Sequence, residues 1–507
     1  MSDPLQVGAQ SYDEVPYHGN PFRQTHPEWL ATIAHLLSLP VPDIHTARVL
    51  ELGCCDGGNL IPMAGDLPNA KFVGIDYSSV QIARGKKVVD KLGIKNLDLL
   101  DISILDVKDD FGEFDYIVSH GVFSWVPDAV AEKMLDICAK HLSPNGVGYL
   151  SYNTLPGFYM RGAVRDMMRY HALRFDTAAR RIQEARLLLD FVSQTAHGFN
   201  AEAYGKALRS EAEMLRNCPD HYIYHEHLED HSRPYYFHEF NAKLEARGLE
   251  FLAESRLGAM ATANFNETQQ RTLGAIATNI VELEQFMDFL RNRTFRETLI
   301  HHAGRTPKYE ITPDRLEGLY VIGMIRPTSD KIDIRPDIPM SFEGPGKLPV
   351  TTSTPLIKAT LAILMKRFPH PIRFEELVDS ARHQLQKNGL KLNTLEKDTN
   401  TLATGLLKIH MSADHIEFSI APQRFISHAS EKPLVSPYAR CQSADPAAEL
   451  IVTRRHDLVK LDAAQRAVLA MLDGTNKADQ IARKLGVTRE SVQAAINHFE
   501  RSALILD

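Results

Sequence analysis

The 507-residue sequence predicts an α/β fold in which a parallel sheet is covered by helices on both faces, then interrupted by a helical insertion and followed by further compact domains. Three observations predict it. Short apolar runs of strand length recur up to residue 153, and helical patterns separate them. The first run opens into a tight loop of small residues, "VLELGCCDGGN" (49–59). Beyond residue 158 strand signals stop, and a helical stretch rich in Arg, Leu and Ala takes over.

Each element has its own justification. Residues 25–39 place Trp29, Leu30, Ile33, Leu36 and Leu37 on one helical face, and Pro40 and Pro42 stop that helix. The strands read as "ARVLELG", "FVGIDYS" (72–78), "LDLLDISIL" (97–105), "FDYIVSHGV" (114–122) and "GVGYLSYN" (146–153). Helices are expected over 59–64, 79–92 and 129–141. Residues 158–216 read as helical. Residues 235–255 return to helix, glycine and strand, so the sheet resumes after the insertion. Residues 267–303 again read as helical. Residues 341–355, rich in Gly, Pro, Ser and Thr, read as a linker. The last segment, 478–505, has helix-turn-helix form: Gly486 is at the turn, and Leu485, Val487, Val492 and Ile496 are spaced to bury between the helices.

Composition narrows the function classes. The chain is 44% apolar and 24% charged, that of an ordinary soluble globular protein. No stretch approaches the ~20 apolar residues of a membrane span, so no membrane insertion is expected. The polar, acidic N-terminus does not read as a secretory signal. Five scattered cysteines with no CxxC and no Cys/His metal spacing point to a reduced, cytoplasmic protein without a metal site. A net charge of −7 argues against a nucleic-acid role.

The loop discriminates between ligands. A dinucleotide loop spans five positions from first to third glycine. Here Gly53 and Gly57 are four apart, and Cys55 stands at the middle glycine. The Gly-Lys-Ser/Thr ending of a phosphate loop is absent. The spacing resembles the first motif of class I S-adenosylmethionine-dependent methyltransferases, whose loop turns beneath the methionine end of the cofactor. Asp76 ends the second strand 19 residues past Gly57, where a ribose diol needs an acceptor. Tyr77 is positioned to pack on adenine. Ser103 and Ile104 stand where such enzymes often carry an adenine-facing Asp. "SHGVFSWVP" (119–127) resembles the segment that passes under the cofactor, with His120 near the methionine moiety. The cofactor is therefore expected to be S-adenosyl-L-methionine, contacted by Tyr17, Glu51, Gly53, Cys54, Gly57, Asn59, Asp76, Tyr77, Ser103, Ile104 and His120.

Five stretches resemble one narrower family: residues 12–34, 48–64, 114–127, "SYNTLPG" (151–157) and "DFLRNRTFRETLI" (288–300). This is the group with a methyltransferase regulatory domain, which includes the rickettsial protein-lysine methyltransferases of an outer membrane protein. The resemblance implies a Rossmann-like methyltransferase sheet with a helical insertion, a middle domain and a C-terminal winged-helix-like domain. Mapped here, residues 1–157 begin the cofactor domain and 158–224 form the insertion, implied to be the contact of a homodimer. Residues 225–260 complete the cofactor domain, 261–345 form the regulatory or middle domain, and 353–507 the C-terminal domain. It further implies a protein substrate, an outer membrane or surface protein, methylated on lysine.

The chemistry then needs a group that frees the amine of its proton, because an unperturbed lysine holds it to a pH of about 10.4. His120, Tyr152, Asn153 and Tyr17 are the candidates by position, the first three as catalytic residues. For Asn153 the alternative is a cap on the turn that follows. Tyr12, Tyr17 and Gln24 belong to an N-terminal segment that the resemblance implies folds over the cofactor; the alternative is packing against the first helix. Trp125 either lines the pocket or packs in the core. The motif Asn/Asp-Pro-Pro-Tyr, which grips planar amides and bases, is absent after the fourth strand. "RNRTFRETL" (291–299) reads either as charges on a solvated helix or as arginines that organise a substrate or domain contact. The alternatives are a small-molecule N- or O-methyltransferase and a cofactor-sensing DNA-binding regulator.

Overall fold

In the computed structural model, the described residues are 15, 19–195, 201–345, 348–413, 415–422, 425–426, 428–446 and 448–507. A seven-stranded sheet organises the first 300 residues. Its strands are β1 (Arg48–Leu52), β2 (Lys71–Asp76), β3 (Leu97–Asp101), β4 (Phe114–Ser119), β5 (Leu142–Asn153), β6 (Leu249–Glu254) and β7 (Phe295–His302). Their order is β3-β2-β1-β4-β5-β7-β6. The first five run parallel, and β7 is antiparallel to both its neighbours. The chain order reverses between β1 and β4, so their carboxyl ends border a crevice of the kind that binds ligands in open α/β sheets.

Local chemistry explains the elements. The helix Pro27–Leu36 begins with proline in its first turn and is capped by His26, whose Nδ1 accepts from Glu28 N. The helix Ser79–Leu92 is capped by Ser78 and ends on Gly93 in the left-handed conformation. β1 is buried at four of its five positions, as a strand covered on both faces must be. Its Leu50 pairs with Val73 on one side and Ile117 on the other.

The structure corrects the sequence reading in four places. The third strand ends at Asp101, because Ser103 Oγ accepts from Leu105 N and turns the chain into a short 3₁₀ segment. Residues 295–302 are strand, not helix. The helix Ile280–Arg291 ends on Asn292 at φ 51°, and the β-branched Thr294, Thr298 and Ile300 then favour extension between β5 and β6. The sheet is thus completed from beyond residue 260, within the segment assigned to the middle domain. In the supposed linker, Met340–Glu343 and Val350–Thr352 pair as antiparallel strands. Val487 is exposed, whereas Val492 and Ile496 are buried as expected.

The helices Phe158–Ala172, Ala178–Thr195 and Ala201–Arg216 form the insertion and share one apolar cluster that includes Met168, Leu189, Leu208 and Tyr224. Further on, the strands Tyr320–Gly323 and Ile416–Ser419 and the helices around them pack into the same core as one face of the main sheet. The last domain carries the helices Ala463–Ala470, Ala478–Leu485 and Arg489–Arg501. A two-stranded wing joins them, Leu450–Val452 against Leu458–Lys460.

Candidate cofactor and acceptor site

The loop after β1 is held by positive φ at three positions, Gly53 (76°), Cys55 (57°) and Gly57 (75°). Only glycine reaches this conformation without a steric cost. A side chain on Gly53 would meet Val122, and one on Gly58 would meet the Gly19 carbonyl at 2.1 Å. Gly19 N also donates to Asp56 Oδ1 at 3.1 Å. The N-terminal segment therefore lies directly on the loop.

Two carboxylates flank this turn. Asp76 Oδ2 accepts from Cys55 N at 2.8 Å and its Oδ1 from Ser78 N at 2.9 Å. Burial raises its pKa, against the lowering effect of those backbone bonds. Its remaining lone pairs suit hydroxyl donors. Glu51 is buried. Its Oε1 accepts from Asn59 Nδ2 at 2.8 Å, and its Oε2 has no partner among the described residues. Burial pushes Glu51 up to about 8, with Asn59 pulling down and Asp76 adding to the rise. An orphaned, buried carboxylate oxygen calls for a donor, and a cationic one above all. A ligand with an ammonium at one end and a ribose diol at the other fits this pair, and S-adenosylmethionine has both.

Under the crevice, His120 follows β4. Its ring stacks on Phe22, with centroids 3.8 Å apart. Its Nδ1 lies 2.8 Å from Tyr149 Oη, which in turn donates to Glu297 Oε1 at 3.2 Å. Glu297 also accepts from Gln24 Nε2 at 2.7 Å and from Ser255 Oγ at 3.1 Å. Because the Tyr149 hydrogen is committed to a carboxylate, its oxygen accepts from Nδ1–H. That assigns the His120 tautomer and leaves Nε2 as a lone-pair acceptor. Burial lowers His120 to about 4, so the ring is neutral at physiological pH.

Alternation along β5 sorts the remaining candidates. Tyr149, Ser151 and Asn153 share a face. Ser151 Oγ accepts from Gly121 N at 2.8 Å, and Tyr149 meets His120, so this is the His120 face. Asn153 is buried, and its Nδ2 has no partner among the described residues. Its backbone N donates to Ser124 Oγ and its carbonyl accepts from Tyr235 N, so the main chain, not the side chain, ties it to its neighbours. Tyr152 faces the other way. It stacks on Phe240 at 4.1 Å and is wholly buried in the opposite core, so it is not placed to act on the acceptor.

Other expectations are revised too. The Cys54 thiol points into the sheet against Gly74, not toward a ligand. Burial raises both Cys54 and Cys55 thiols, so neither is a thiolate. Asn59 is buried behind the loop, where its amide binds Glu51 and Thr25. Ser103 and Ile104 follow β3 beside Asp76, and Tyr77 is partly exposed. Trp125 packs with Leu155 and Phe158 in a small separate cluster. Tyr12 and Tyr17 lie outside the described residues. Tyr149 and Glu297 were missed, although the two-residue period of β5 would have selected Tyr149 over Tyr152. Glu297 carried no such signal, because its stretch reads as helix.

Two expectations follow. Cys55→Gly should leave cofactor affinity within about twofold and leave stability unchanged or raised by about 0.5–1 kcal/mol, since glycine adopts this φ freely. A calorimetric loss of binding in a folded variant would assign the thiol a role. Second, at pH 7 the empty Glu51 is mostly protonated, and an ammonium beside it must ionise it. Binding should release a proton below pH 8, so affinity should rise by up to about tenfold per pH unit there, and it should fall again above about pH 8, where the ligand's own α-ammonium loses its proton. Titrations in buffers of different ionisation enthalpy measure this directly, and Glu51→Gln should abolish it.

Comparison with known proteins matches three domain models in order along the chain. Residues 50–147 match a model described as a methyltransferase domain. Residues 219–302 match a predicted methyltransferase regulatory domain, and 431–502 a PKMT C-terminal winged helix domain. The chain is 34% identical to the uncharacterized protein RP789 of Rickettsia prowazekii over 98% of its own length and 87% of the other. It superimposes on PKMT2 from Rickettsia typhi in complex with AdoHcy with a TM-score of 0.87 and 32% identity, covering 97% of this chain and all of that one. The three domain models in order, and a likeness that runs the length of both chains, show that the protein belongs to the PKMT family of S-adenosyl-L-methionine-dependent methyltransferases.

Proposed function

We propose that the enzyme methylates lysine side chains of a protein substrate. The observation that carries this reading is the acceptor face itself: a neutral, half-buried His120 whose Nε2 has no partner among the described residues, on the same face as the buried Asn153 side chain. An amine that arrives as an ammonium needs both a proton acceptor and a group that orients its lone pair. Bound in the crevice, the cofactor supplies an electrophilic methyl group. Glu51 and Asp76 hold its two ends, and Phe22, stacked on His120, covers the site and excludes water. His120 Nε2 takes a proton from the ammonium. The resulting imidazolium is countered by Glu297 through Tyr149. The Asn153 side-chain oxygen accepts from an amine N–H and so leaves the lone pair aimed for in-line attack.

The likeness to PKMT2 supports a protein acceptor. We extend the reading to a homodimer formed through the helical insertion, which leaves Tyr170, Phe191, Tyr159 and Leu187 exposed. The substrate proposed from the family resemblance is an outer membrane or surface protein, and the location proposed for the enzyme is the cytoplasm. No helix among the described residues is long and apolar enough to cross a membrane.

Incubation with methyl-labelled cofactor and a surface-protein extract tests the substrate. Label on lysine, located by mass spectrometry, is the expected result. A small labelled product would replace the reading with small-molecule methylation. Tight, salt-sensitive binding to duplex DNA without methyl transfer would replace it with a regulator.

A further inference from the structure

The winged-helix domain reaches the cofactor loop. Its wing turns at residues 453–457, where Thr453 N donates to the Asp457 carbonyl at 2.8 Å. His456 stands in that turn at φ 59°, a conformation that costs a non-glycine residue energy. Its side chain is buried, and its Nε2 is 2.7 Å from Asn59 Oδ1. The wing is tied down around it. Arg454 pairs with Asp66, at the end of the short helix Leu60–Asp66 that Asn59 starts. Arg23 joins Glu417 at 2.5 Å to Asp457 at 3.1 Å, and Arg455 reaches Glu417 at 2.8 Å.

Asn59 has an amide whose two ends differ. Its oxygen accepts from Phe22 N at 2.9 Å and from His456, and its nitrogen donates to Thr25 Oγ1 at 2.9 Å and to Glu51 Oε1 at 2.8 Å. Two N–H donors at one end dictate which end faces Glu51. The Glu51 carboxylate is thereby held by one oxygen, and its other oxygen is buried with no partner among the described residues. His456 itself is flanked by Arg23 and by the His26 ring at 5.4 Å, and burial keeps it neutral. It can therefore give Asn59 one N–H.

We propose that His456 is a positioning residue for the cofactor: through Asn59 it sets the Glu51 carboxylate to receive the ammonium of S-adenosylmethionine, so that the C-terminal domain completes the cofactor site from outside the sheet. The inference rests on the cofactor alone and is independent of the methyl acceptor.

Isothermal titration of the full-length protein with S-adenosylmethionine and with S-adenosylhomocysteine tests it. His456→Phe keeps the volume and removes the donor, and should weaken both ligands by about tenfold, the share of one buried hydrogen bond. His456→Gln restores an N–H and should recover affinity to within about threefold. A purely structural role would lower the melting temperature of His456→Phe and leave its affinity unchanged, which would overturn the proposal. Failure of the Gln variant to recover affinity would overturn the hydrogen-bond assignment. If His456→Phe does not fold, hydrogen exchange on the unmodified protein decides. Coupling is reciprocal, so saturating S-adenosylhomocysteine should slow exchange at residues 453–457 several-fold. Unchanged exchange there would refute the coupling.

Discussion

Arg296→Leu should cost about 3–5 kcal/mol of folding stability, the largest loss expected of any single substitution described above. Arg296 is fully buried on β7. It donates to Asp288 at 2.8 and 2.9 Å, to Glu254 at 2.6 Å and to Glu284 at 3.0 Å, and its guanidinium lies 3.9 Å over the Phe237 ring. Leucine would leave three buried carboxylates with Arg293, at 3.4–3.9 Å, as the only countercharge among the described residues. Lysine cannot replace the planar fork and should recover little. Urea unfolding measures the effect, and a loss under about 1 kcal/mol would show that the cluster relaxes by taking up protons. One such proton is already expected. Burial raises Glu284 to about 7, outweighing the pull of Arg296. Its folded pKa is above its unfolded value, so the stability it contributes is complete below about pH 4.5 and is lost as pH rises through 7. Glu284→Gln should flatten that decline.

His120→Ala should lower kcat by about 10²–10⁴-fold, the range for removing a positioned proton acceptor. Two milder variants separate this role from packing. Tyr149→Phe keeps the ring and breaks the link to Glu297, and Glu297→Gln removes the countercharge. Each should reduce kcat by about 10–100-fold while KM for the cofactor stays within about threefold. Burial holds His120 near 4, so the free enzyme should show no acid limb close to the ordinary histidine value of 6.5. Because a neutral His120 takes the proton from the bound ammonium, kcat should instead stay level from about pH 5 to about pH 9. Full activity of Glu297→Gln at every pH would remove the relay from the mechanism.

Much of this was legible in one dimension, where the signal is local. The Gly53–Gly57 spacing, Asp76 at the end of its strand and the start of "SHGVFSWVP" each report backbone geometry or a strand terminus, and each stands at the crevice. Errors arose where a distant partner decides conformation. Residues 295–302 have a helix-like charge pattern, and only pairing with β5 and β6 makes them a strand. The arginines of "RNRTFRETL" read either as solvated or as organising a contact, and Arg296 is interior because Glu254, Glu284 and Asp288 come to it from other elements.

From sequence alone, then, the cofactor class, the Rossmann-like sheet and the place of Asp76 at the end of its strand are determined, because turns, strand ends and loop spacing are set by neighbouring residues. The tertiary structure alone decided which face of β5 meets His120, that Tyr149 and Glu297 stand behind it, and that a wing more than 390 residues away touches Asn59. Those contacts depend on how separate elements pack, and packing at that separation leaves no period or spacing in the chain.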